Sequence, residues 1–486
     1  MVIESLKYKI LQQFGFAPTQ EQGQALDTFV SFLTDRDPQA VMILRGSAGT
    51  GKTSLSGAIV RTLLQIRQKV MLLAPTGRAA KVFSLGSGAP AYTIHRRIYR
   101  EKAFAGVDGQ FGLNDNLYTD TLFMVDEASM IANMGLGGTT FGSGCLLDDL
   151  VKFVYQGHND RLLLIGDKAQ LPPVGEEESP ALSASVMEGY GLKVYECDLN
   201  EVLRQSQSSG ILYNATLIRQ MITHDAVTGL PLIRFKGFAD IVMMPGAELV
   251  ESLGDSYHHV GMDETMVITR SNKRANIYNN GIRNMVLDRE EELSSGDMLM
   301  IVKNNYFWTE KKESGEGSAG AVPAFLANGD RAKVLRVSNY IELYGFRFAT
   351  LLLQLPDYDD YEMQVTGMLD TLQSEAPALT HEQQEELFRQ VEEDYQHFVP
   401  LKADRMKSIR QDAYFNALQI KYAYAVTCHK AQGGQWAHVY VDQGYMTDDM
   451  LTPDYIHWLY TAFTRATDKL FLVNWPKEQT CEPTDL

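Results

Sequence analysis

One glycine-rich segment of this sequence has the residue types and the spacing that bind nucleotide phosphates. It follows an apolar run and matches the pattern GxxxxGKT. Its members are Gly46, Ser47, Ala48, Gly49, Thr50, Gly51, Lys52 and Thr53. Glycines let backbone N–H groups turn toward the phosphates, and the N-terminus of a following helix adds partial positive charge. We therefore predict that Lys52 reaches the β- and γ-phosphates of ATP and that Thr53 holds Mg²⁺.

Two further apolar runs end in polar residues suited to phosphate hydrolysis. Asp126 and Glu127 follow the run at 122–125; the first carboxylate can hold Mg²⁺, and the second can orient or deprotonate the attacking water. Gln170 follows the run at 162–165, and its amide can hydrogen-bond the γ-phosphate and report its loss. A kinase does not need this water-positioning glutamate, so hydrolysis is expected. Taken alone, the first segment is also typical of a solvated strand end, and the second of a rigid turn.

These segments need a fold that brings strand ends together, which is what a parallel sheet does. Short apolar runs, separated by helix-like segments, recur in both halves of the chain. They lie at 41–44, 70–74, 122–125, 162–165, 240–244, 266–269, 422–426, 439–441 and 470–473. The pattern predicts an α/β protein with two parallel-sheet units and crossover helices.

A different composition interrupts the second unit. Residues 296–303 and the runs at 332–337 and 347–355 have β character, and a Gly/Ser/Glu-rich loop lies between them at 311–320. An acidic stretch, 357–414, then includes a segment with helical apolar spacing at Leu387, Val391 and Tyr395. We interpret the region as an inserted β module with a helical extension.

Composition gives the broad class. The chain has 486 residues, 45% of them hydrophobic, which suggests about three domains. Its four cysteines lie far apart without a C-x-x-C pair, which argues against a disulfide scaffold or a zinc site. Charged residues interrupt the N-terminal segment, and no run approaches the length of a membrane span. We therefore expect a soluble, cytoplasmic protein with no membrane partner.

The net charge of −17 is unevenly distributed. Between Ser54 and Val107 there are nine lysines and arginines against one acid, whereas between Pro356 and Asp404 thirteen acids face two basic residues. Partners respond to the local field, which salt screens beyond about 8–10 Å. A basic, nucleic-acid-binding face is therefore compatible with the acidic total.

The three segments with chemistry resemble motifs I, II and III of the superfamily 1 helicases. The resemblance is greatest to the RecD-like and Dda-like 5′→3′ branch, whose motif III is similar to GDKAQLPPV at 166–174. Further segments resemble helicase motifs in the same order, from about residue 16 to residue 474. They are 19–22, 74–81, 93–95, 199–205, 296–305, 328–330, 424–433 and 460–466.

The resemblance implies an architecture of two RecA-like lobes, with a small β-hairpin pin in lobe one and an SH3-like β plus helical insertion in lobe two. The implied division is lobe 1A at 1–90 and 121–200, insertion 1B at 91–120, lobe 2A at 201–297 and 417–486, and insertion 2B at 298–416. The chain starts almost at the first motif, so the N-terminal domains of larger RecD proteins are expected to be absent. The acidic extension is longer than the family's insertion leads us to expect.

The resemblance also implies roles for individual residues. Gln22 would read adenine, and Arg204 and Arg465 would be arginine fingers, although Arg204 could instead form a surface salt bridge. The DNA-binding set would include Phe104 and Phe111 near the tip of a hairpin, where the alternative is that they pack against their own lobe. The other members of this set are Thr76, Arg78, Lys81, Thr93, His95, Asn328, Thr427, His429 and Lys430. For the two histidines, a buried structural role is the alternative.

The implied function is an ATP- and Mg²⁺-dependent DNA helicase that moves 5′→3′ on single strands, with a part in DNA repair or recombination. Expected partners are single-stranded DNA and its junctions with duplex. For the acidic extension at 357–414 three interpretations remain open: it docks a protein partner, it packs on lobe two, or it is a solvated helical face. The family leads us to expect a nucleoid-associated monomer. Two alternatives remain: an RNA or ribonucleoprotein translocase, and a non-motor P-loop ATPase subunit of a larger, RecD-type nuclease complex.

Overall fold

The computed structural model describes residues 2–105, 108–135, 142–201, 208–223, 229–310, 325–447 and 450–481. These residues form two compact units. The first unit contains Met1–Arg100, Phe111–Pro245 and Ala431–Leu486, and the second contains Glu101–Gln110 and Gly246–Lys430. The predicted loop at 311–320 and the predicted finger Arg204 lie outside the described residues.

The strands are numbered in chain order. They are β1 (Ala40–Gly46), β2 (Lys69–Ala74), β3 (Ala91–Thr93), β4 (Tyr99–Ala105), β5 (Asp108–Leu113), β6 (Thr121–Val125), β7 (Arg161–Gly166), β8 (Lys193–Leu199), β9 (Ile241–Met244), β10 (Thr265–Thr269), β11 (Met298–Ile301), β12 (Arg331–Leu343), β13 (Phe346–Leu355), β14 (Tyr361–Met368), β15 (Leu418–Tyr422), β16 (Ala425–Thr427), β17 (Trp436–Asp442) and β18 (Ala466–Val473).

The α-helices are numbered in the same way. They are α1 (Val2–Phe14), α2 (Gln20–Leu33), α3 (Lys52–Gln65), α4 (Gly77–Ser87), α5 (Ile94–Ile98), α6 (Leu146–Gln156), α7 (Ala184–Gly189), α8 (Gly210–Thr223), α9 (Leu249–His259), α10 (Asn272–Gly281), α11 (Phe307–Glu310), α12 (His381–Gln396), α13 (Lys402–Arg410), α14 (Cys428–Ala431) and α15 (Pro453–Phe463).

The first unit is built on a parallel sheet of six strands in the order β3-β2-β6-β7-β1-β8. Strands β1, β6 and β7 are buried along their whole length. Side chains of one strand alternate between the two faces, so both faces need apolar residues. In β1, Met42 and Leu44 join one core cluster, and Val41 and Ile43 join the other.

Helices cover both faces of this sheet. The first core cluster takes residues from α1, α2, α3 and α4, among them Leu26 and Leu55. The second takes residues from α5, α6 and α7, among them Ile94 and Leu150. Crossover helices on both faces keep the strands parallel, so the carboxyl ends of β1, β2, β3, β6 and β7 open at one edge of the sheet. The predicted α/β class is therefore confirmed.

Three more strands of the first unit, β17, β18 and β9, also pair in parallel, in that order. Helices α8 and α15 pack against each other and against β18. Strands β4 and β5 pair as a two-stranded sheet at the place of the predicted hairpin.

The second unit contains a closed barrel formed by β11, β12, β13, β14 and β15. Neighbouring strands are antiparallel, except that β14 and β15 run parallel. In the same unit, β10 and β16 pair in parallel. The apolar run predicted as one strand at 422–426 is divided between β15 and β16, because the chain leaves the barrel at Ala423–Tyr424 and then pairs with β10.

The helical extension predicted from the acidic stretch is present as α12 and α13. Thr380 and Gln383 form a capping box that starts α12. Leu387 and Val391 of α12 and Ile409 of α13 join an apolar cluster that includes Phe348 of β13. The apolar spacing therefore marks the helix face that packs in the second unit, as predicted.

None of the helices in the described residues is long and apolar enough to cross a membrane. The four cysteines have free thiols.

Candidate nucleotide-binding site

The glycine-rich segment, called the P-loop from here on, connects β1 to α3. Gly49 and Gly51 have φ angles of 76° and 82°, a left-handed conformation that glycine adopts without strain. Gly51 is the N-cap of α3 and offers no side-chain hydrogen bond to the helix, so the first N–H groups of α3 remain open to a ligand. Thr53 and Gly49 are exposed. The loop is therefore shaped to receive phosphate.

The side chain of Lys52 lies across the P-loop and contacts its backbone. Its ammonium group donates hydrogen bonds to the carbonyl oxygen of Gly46 and, at 3.0 Å, to that of Ser47. A second bond closes the loop from inside, because the hydroxyl of Thr50 donates to Ser47 O at 2.8 Å. These bonds keep the lysine inside the phosphate-binding loop.

Gln22 is brought to the P-loop, but it uses its amide within the protein. The side-chain oxygen accepts a hydrogen bond from Thr19 N at 3.0 Å, which completes a capping box at the start of α2. The side-chain nitrogen donates to Thr50 O at 2.9 Å. In this arrangement Gln22 supports the P-loop, and its role in reading adenine stays a prediction.

The two predicted carboxylates follow β6 at the same edge of the sheet. Asp126 N donates to Leu73 O at 3.0 Å, and Glu127 N donates to a carboxylate oxygen of Asp126 at 2.9 Å. Burial, together with the negative charge of Glu127, raises the pKa of Asp126 to about 7, whereas the nearby charge of Lys52 lowers it. A bound cation would favour the charged form of the Asp126 carboxylate, so this position fits a cation site. Among the described residues, no group of three or more His, Cys, Asp or Glu residues is arranged to hold a metal.

The turn after β7 supplies Gln170. Its backbone N–H donates to Asp167 O at 3.2 Å, and its side chain is mostly buried. Within the described part of the chain, the side-chain oxygen Oε1 of Gln170 is buried without a hydrogen-bond partner. Because most buried polar atoms are hydrogen-bonded, an open acceptor here fits a donor from outside the chain, such as a water molecule.

Two residues at this site were not predicted to take part. Arg219 of α8 donates from Nη1 to the hydroxyl of Ser47 in the P-loop and, at 3.4 Å, to the side chain of Asn200. Tyr460 of α15 accepts a hydrogen bond from Ala48 N at 2.9 Å. Tyr460 lies in a quoted motif, but nothing in its local sequence reveals a partner 412 residues away. No sequence signal distinguishes Arg219 from other helix-surface arginines.

The predicted finger Arg465 is buried and bound to backbone near its own helix. It donates to the carbonyl oxygens of Thr461 and Gly434, each at 3.1 Å, and to the Thr464 hydroxyl at 3.2 Å. These bonds engage the guanidinium group of Arg465 with its own neighbours in the chain and with Gly434. Its role as a finger stays a prediction, as does that of Arg204.

In the first unit, the predicted DNA-binding residues lie around α4 and α5. Thr76 and Thr93 cap these helices through their side chains. Arg78 stacks over the ring of Trp436, with its guanidinium carbon 4.7 Å from the ring centroid, and donates to Gln435 O. Lys81 is half-buried.

His95 lies on α5, and burial lowers its pKa to about 4, so it is neutral at pH 7. Phe111 packs against the core cluster that includes Ile94, which is the alternative we gave for it. The side chain of Phe104 lies outside the described residues. A phosphate contact by His95 therefore has to use a neutral ring.

In the second unit, Thr427 ends β16, and the exposed His429 and half-buried Lys430 follow in α14. Burial lowers the pKa of Lys430 to about 8. Asn328 is exposed in the turn before β12, where its backbone N–H donates to the side chain of Asn304 at 2.6 Å.

Comparison with protein families agrees with the site. Residues 17–229, which include the P-loop, the carboxylate pair and Gln170, match the family described as AAA domain. Residues 422–473, which include Tyr460 and Arg465, match the family described as UvrD-like helicase C-terminal domain. Both matches, together with the RecD2 relative described below, agree with the predicted resemblance to superfamily 1 helicases. The resemblance stated from the motifs is thus confirmed.

Three curated relatives resemble this chain over different lengths. The ATP-dependent RecD2 DNA helicase of Deinococcus radiodurans is 30% identical over 157 residues, 32% of this chain. A protein of Methanocaldococcus jannaschii is 33% identical over 168 residues, and one of Acanthamoeba polyphaga mimivirus is 21% identical over 506 residues, 90% of this chain. The matched stretches cover 18%, 13% and 96% of these relatives, respectively.

Two solved structures are similar over 96% of this chain. The Pif1 helicase from Bacteroides in complex with ADP-AlF3 and ssDNA is 13% identical, with 95% of its chain covered and a TM-score of 0.46. The Pif1 helicase from Candida albicans is 17% identical, with 97% covered and a TM-score of 0.41.

Proposed function

We propose that this chain is an ATP-dependent DNA helicase that moves 5′→3′ on single-stranded DNA and couples ATP hydrolysis to duplex unwinding. One observation carries the proposal. The P-loop, the Asp126–Glu127 pair and the Gln170 turn follow strands of one parallel sheet, and α15 hydrogen-bonds both the P-loop and that turn. An ATPase in which a helicase-motif helix contacts the nucleotide loop can convert hydrolysis into motion.

Each residue has a distinct task in the proposed hydrolysis. Lys52 neutralises the terminal phosphates, Glu127 orients the attacking water and accepts its proton, and Gln170 offers its open acceptor oxygen to the same water. Arg219 is placed to add positive charge at the P-loop as negative charge develops on the phosphate. Arg465 would have to leave its three hydrogen bonds to do the same.

Mg²⁺ fits the donors present at this edge. The Thr53 hydroxyl and an Asp126 carboxylate would hold the ion, which balances phosphate charge. Mg²⁺ is usually held by one or two carboxylates together with substrate phosphates and water, so a dedicated cluster of acids is not needed. Burial raises the pKa of the Asp126 carboxyl, and a bound cation would favour its charged form.

We assign DNA contacts to the predicted residues at strand ends and helix starts. Arg78 and Lys81 would contact phosphates in the first unit, and Thr427, His429 and Lys430 in the second. The exposed glutamates of α12 repel a polyanion, so we assign the acidic extension to a basic protein partner. We also propose that the chain works as a monomer near the nucleoid, in repair or recombination. The DNA helicase activity named for the RecD2 relative supports the choice of DNA.

The test is ATP hydrolysis measured with single-stranded DNA, with single-stranded RNA and without nucleic acid, each with Mg²⁺ and with EDTA. Lys52→Ala is the blank. We expect hydrolysis that depends on Mg²⁺ and rises most with DNA. Stimulation by RNA alone would replace the proposal with an RNA translocase. A rate indifferent to both nucleic acids would replace it with a non-motor ATPase subunit.

A further inference from the structure

One face of α15 contacts the turn between Asp167 and Leu171 at three of its residues. Residues at spacing i, i+3 and i+4 lie on the same side of a helix, and here they are His457, Tyr460 and Thr461. His457 Nδ1 donates to Ala169 O at 2.9 Å, the Tyr460 hydroxyl donates to Asp167 Oδ2 at 2.7 Å, and Thr461 Oγ1 accepts from Leu171 N at 2.8 Å. This turn also carries Gln170. The helix therefore determines where the turn lies.

Tyr460 also contacts the P-loop. Its hydroxyl accepts the N–H of Ala48 at 2.9 Å while donating to Asp167 at 2.7 Å. The side chain is 1% exposed, so water does not compete for these bonds. Burial, and the nearby charge of Asp167, raise the pKa of Tyr460 well above its usual value, so the hydroxyl keeps the proton that it donates.

Both bonds use one oxygen atom. A shift of the Asp167 turn therefore changes the position of the group that holds Ala48, and a shift of the P-loop changes the acceptor geometry at Asp167. Arg219, which contacts Ser47 beside Ala48, lies close enough for its charge to lower the pKa of this hydroxyl. The phosphate loop and the Gln170 turn thus meet at one buried hydroxyl group, and Arg219 contacts the same loop at Ser47.

We propose that the Tyr460 hydroxyl is a positioning group that couples the P-loop to the Gln170 turn, so that movement of α15 reaches both together. This inference rests on the proposed ATPase function. The coupling works through geometry: Tyr460 does not touch the reacting atoms, and it places the loops that do.

The experiment compares Tyr460→Phe with Tyr455→Phe. Tyr455 lies on the same helix, is 2% exposed, and donates its hydroxyl to Gln443 at 2.5 Å, away from the P-loop. Both substitutions remove one buried hydroxyl and keep the ring. Hydrogen exchange of peptides covering 46–53 and 167–171 is measured on the ligand-free protein, and kcat and KM for ATP are measured with and without single-stranded DNA.

For Tyr460→Phe we expect exchange about fivefold faster in both peptides, from the loss of typical hydrogen bonds. We also expect the DNA-stimulated kcat to fall about tenfold while KM changes less than about twofold, because the groups that bind phosphate remain. For Tyr455→Phe neither exchange nor stimulation should change. Equal behaviour of the two variants, or an effect of Tyr460→Phe on one peptide only, would overturn the proposal.

A second variant keeps the proposal testable if Tyr460→Phe does not fold. If Tyr460→Phe unfolds, Asp167→Asn tests the same bridge from its other end, because a nitrogen replaces one acceptor oxygen. Faster exchange in 46–53 is expected, and unchanged exchange there overturns the coupling. If the wild-type protein shows no DNA-stimulated hydrolysis, the proposed function fails, and the exchange data still decide whether the hydroxyl couples the two loops.

Discussion

In the six-stranded sheet of the first unit, the strands run parallel and the polar residues lie beyond the strand ends; in the barrel of the second unit, most neighbours are antiparallel and polar residues are enclosed. Gln170 at the sheet edge keeps a side-chain acceptor open, and Thr53 is exposed. Asp297, beside the barrel strand β11, is occupied by protein groups. Its carboxylate accepts hydrogen bonds from Arg283, Arg289 and Tyr424.

The parallel sheet and the closed barrel differ in whether their polar groups remain available to a ligand. A parallel sheet collects polar groups at one edge without requiring them to satisfy one another, so they remain available to a ligand. A closed barrel has no such edge, and its buried charges need internal partners. We therefore expect substitutions at the sheet edge to change activity with little loss of stability, and substitutions around Asp297 to do the reverse.

The largest expected effect is on activity. Lys52→Ala should lower kcat for ATP hydrolysis by a factor on the order of 10³, because the terminal phosphates lose a preorganised charge. Its thermal unfolding should stay near that of the wild type. The matched control is Lys69→Ala, which removes a lysine at the amino end of β2, where it contacts Thr119. A comparable loss of activity in Lys69→Ala would show that the carboxyl-end edge of the sheet, where Lys52 lies, matters no more for activity than the amino-end edge, where Lys69 lies.

The next effect is on stability. Asp297→Ala should lower the free energy of unfolding of the second unit by about 3–5 kcal/mol, because the buried Arg283 and the partly buried Arg289 lose their partner. Urea unfolding measures it. The control is Arg347→Ala, which breaks surface pairs with Glu292 and Asp370 and should cost less than about 1 kcal/mol for each pair. Equal losses in the free energy of unfolding of the two variants would show that the ion pairs around Asp297 stabilise the protein no more than surface pairs do.

A third prediction concerns pH. Burial raises the pKa of Asp330 from its usual 3.8 to about 7, although Tyr358 and Ala327 N donate to its carboxylate. Between these values the unfolded chain releases a proton that the folded chain keeps. The contribution of Asp330 to the free energy of unfolding should therefore fall by about 1.4 kcal/mol per pH unit over that window and level off above pH 7.

Asp330→Asn tests this contribution, because the amide is neutral throughout and retains an acceptor oxygen. Urea unfolding at pH 5 and pH 7 should show the variant gaining stability relative to the wild type as the pH rises. Parallel curves for the two proteins would contradict the assignment.

The smallest expected effect concerns the contribution of Arg219 to nucleotide binding. Arg219→Ala should weaken nucleotide binding about tenfold, because a charge-assisted contact at the P-loop is lost. Titration with a fluorescent ADP analogue measures it. Gln220→Ala, at the exposed neighbouring residue of α8, is the control. Unchanged affinity in Arg219→Ala would mean that Arg219 serves Ser47 and Asn200 alone.

The polar residues at the carboxyl-end edge of the six-stranded sheet could be predicted from the sequence, because short local patterns specify them. An apolar run followed by GxxxxGKT or by Asp-Glu specifies strand, turn and side chain within about ten residues. Strand β8 was missed because it lies at the edge of the sheet and exposes Lys193, Glu196 and Asp198, so it lacks a continuous apolar run. Strand β12 was predicted only over 332–337, since its later residues are exposed and polar.

The contacts that join distant segments could not be predicted. Tyr460 reaches Ala48, and Arg219 reaches Ser47, through the packing of α15 and α8 in the first unit. Arg465 was assigned from its motif, but its direction depends on the carbonyl oxygens of Thr461 and Gly434 nearby. Spacing along the chain reports which face of a helix a residue occupies, and only the tertiary structure reports what that face meets.

The most direct test of the account is strand separation of two matched duplexes, one with a 5′ single-stranded tail and one with a 3′ tail. Both are incubated with ATP and Mg²⁺, with Lys52→Ala as the blank. The account predicts that the wild-type protein opens the 5′-tailed duplex and that the blank opens neither. Opening of the 3′-tailed duplex alone would contradict the proposed direction, and failure to open either duplex would contradict the helicase activity of the isolated chain.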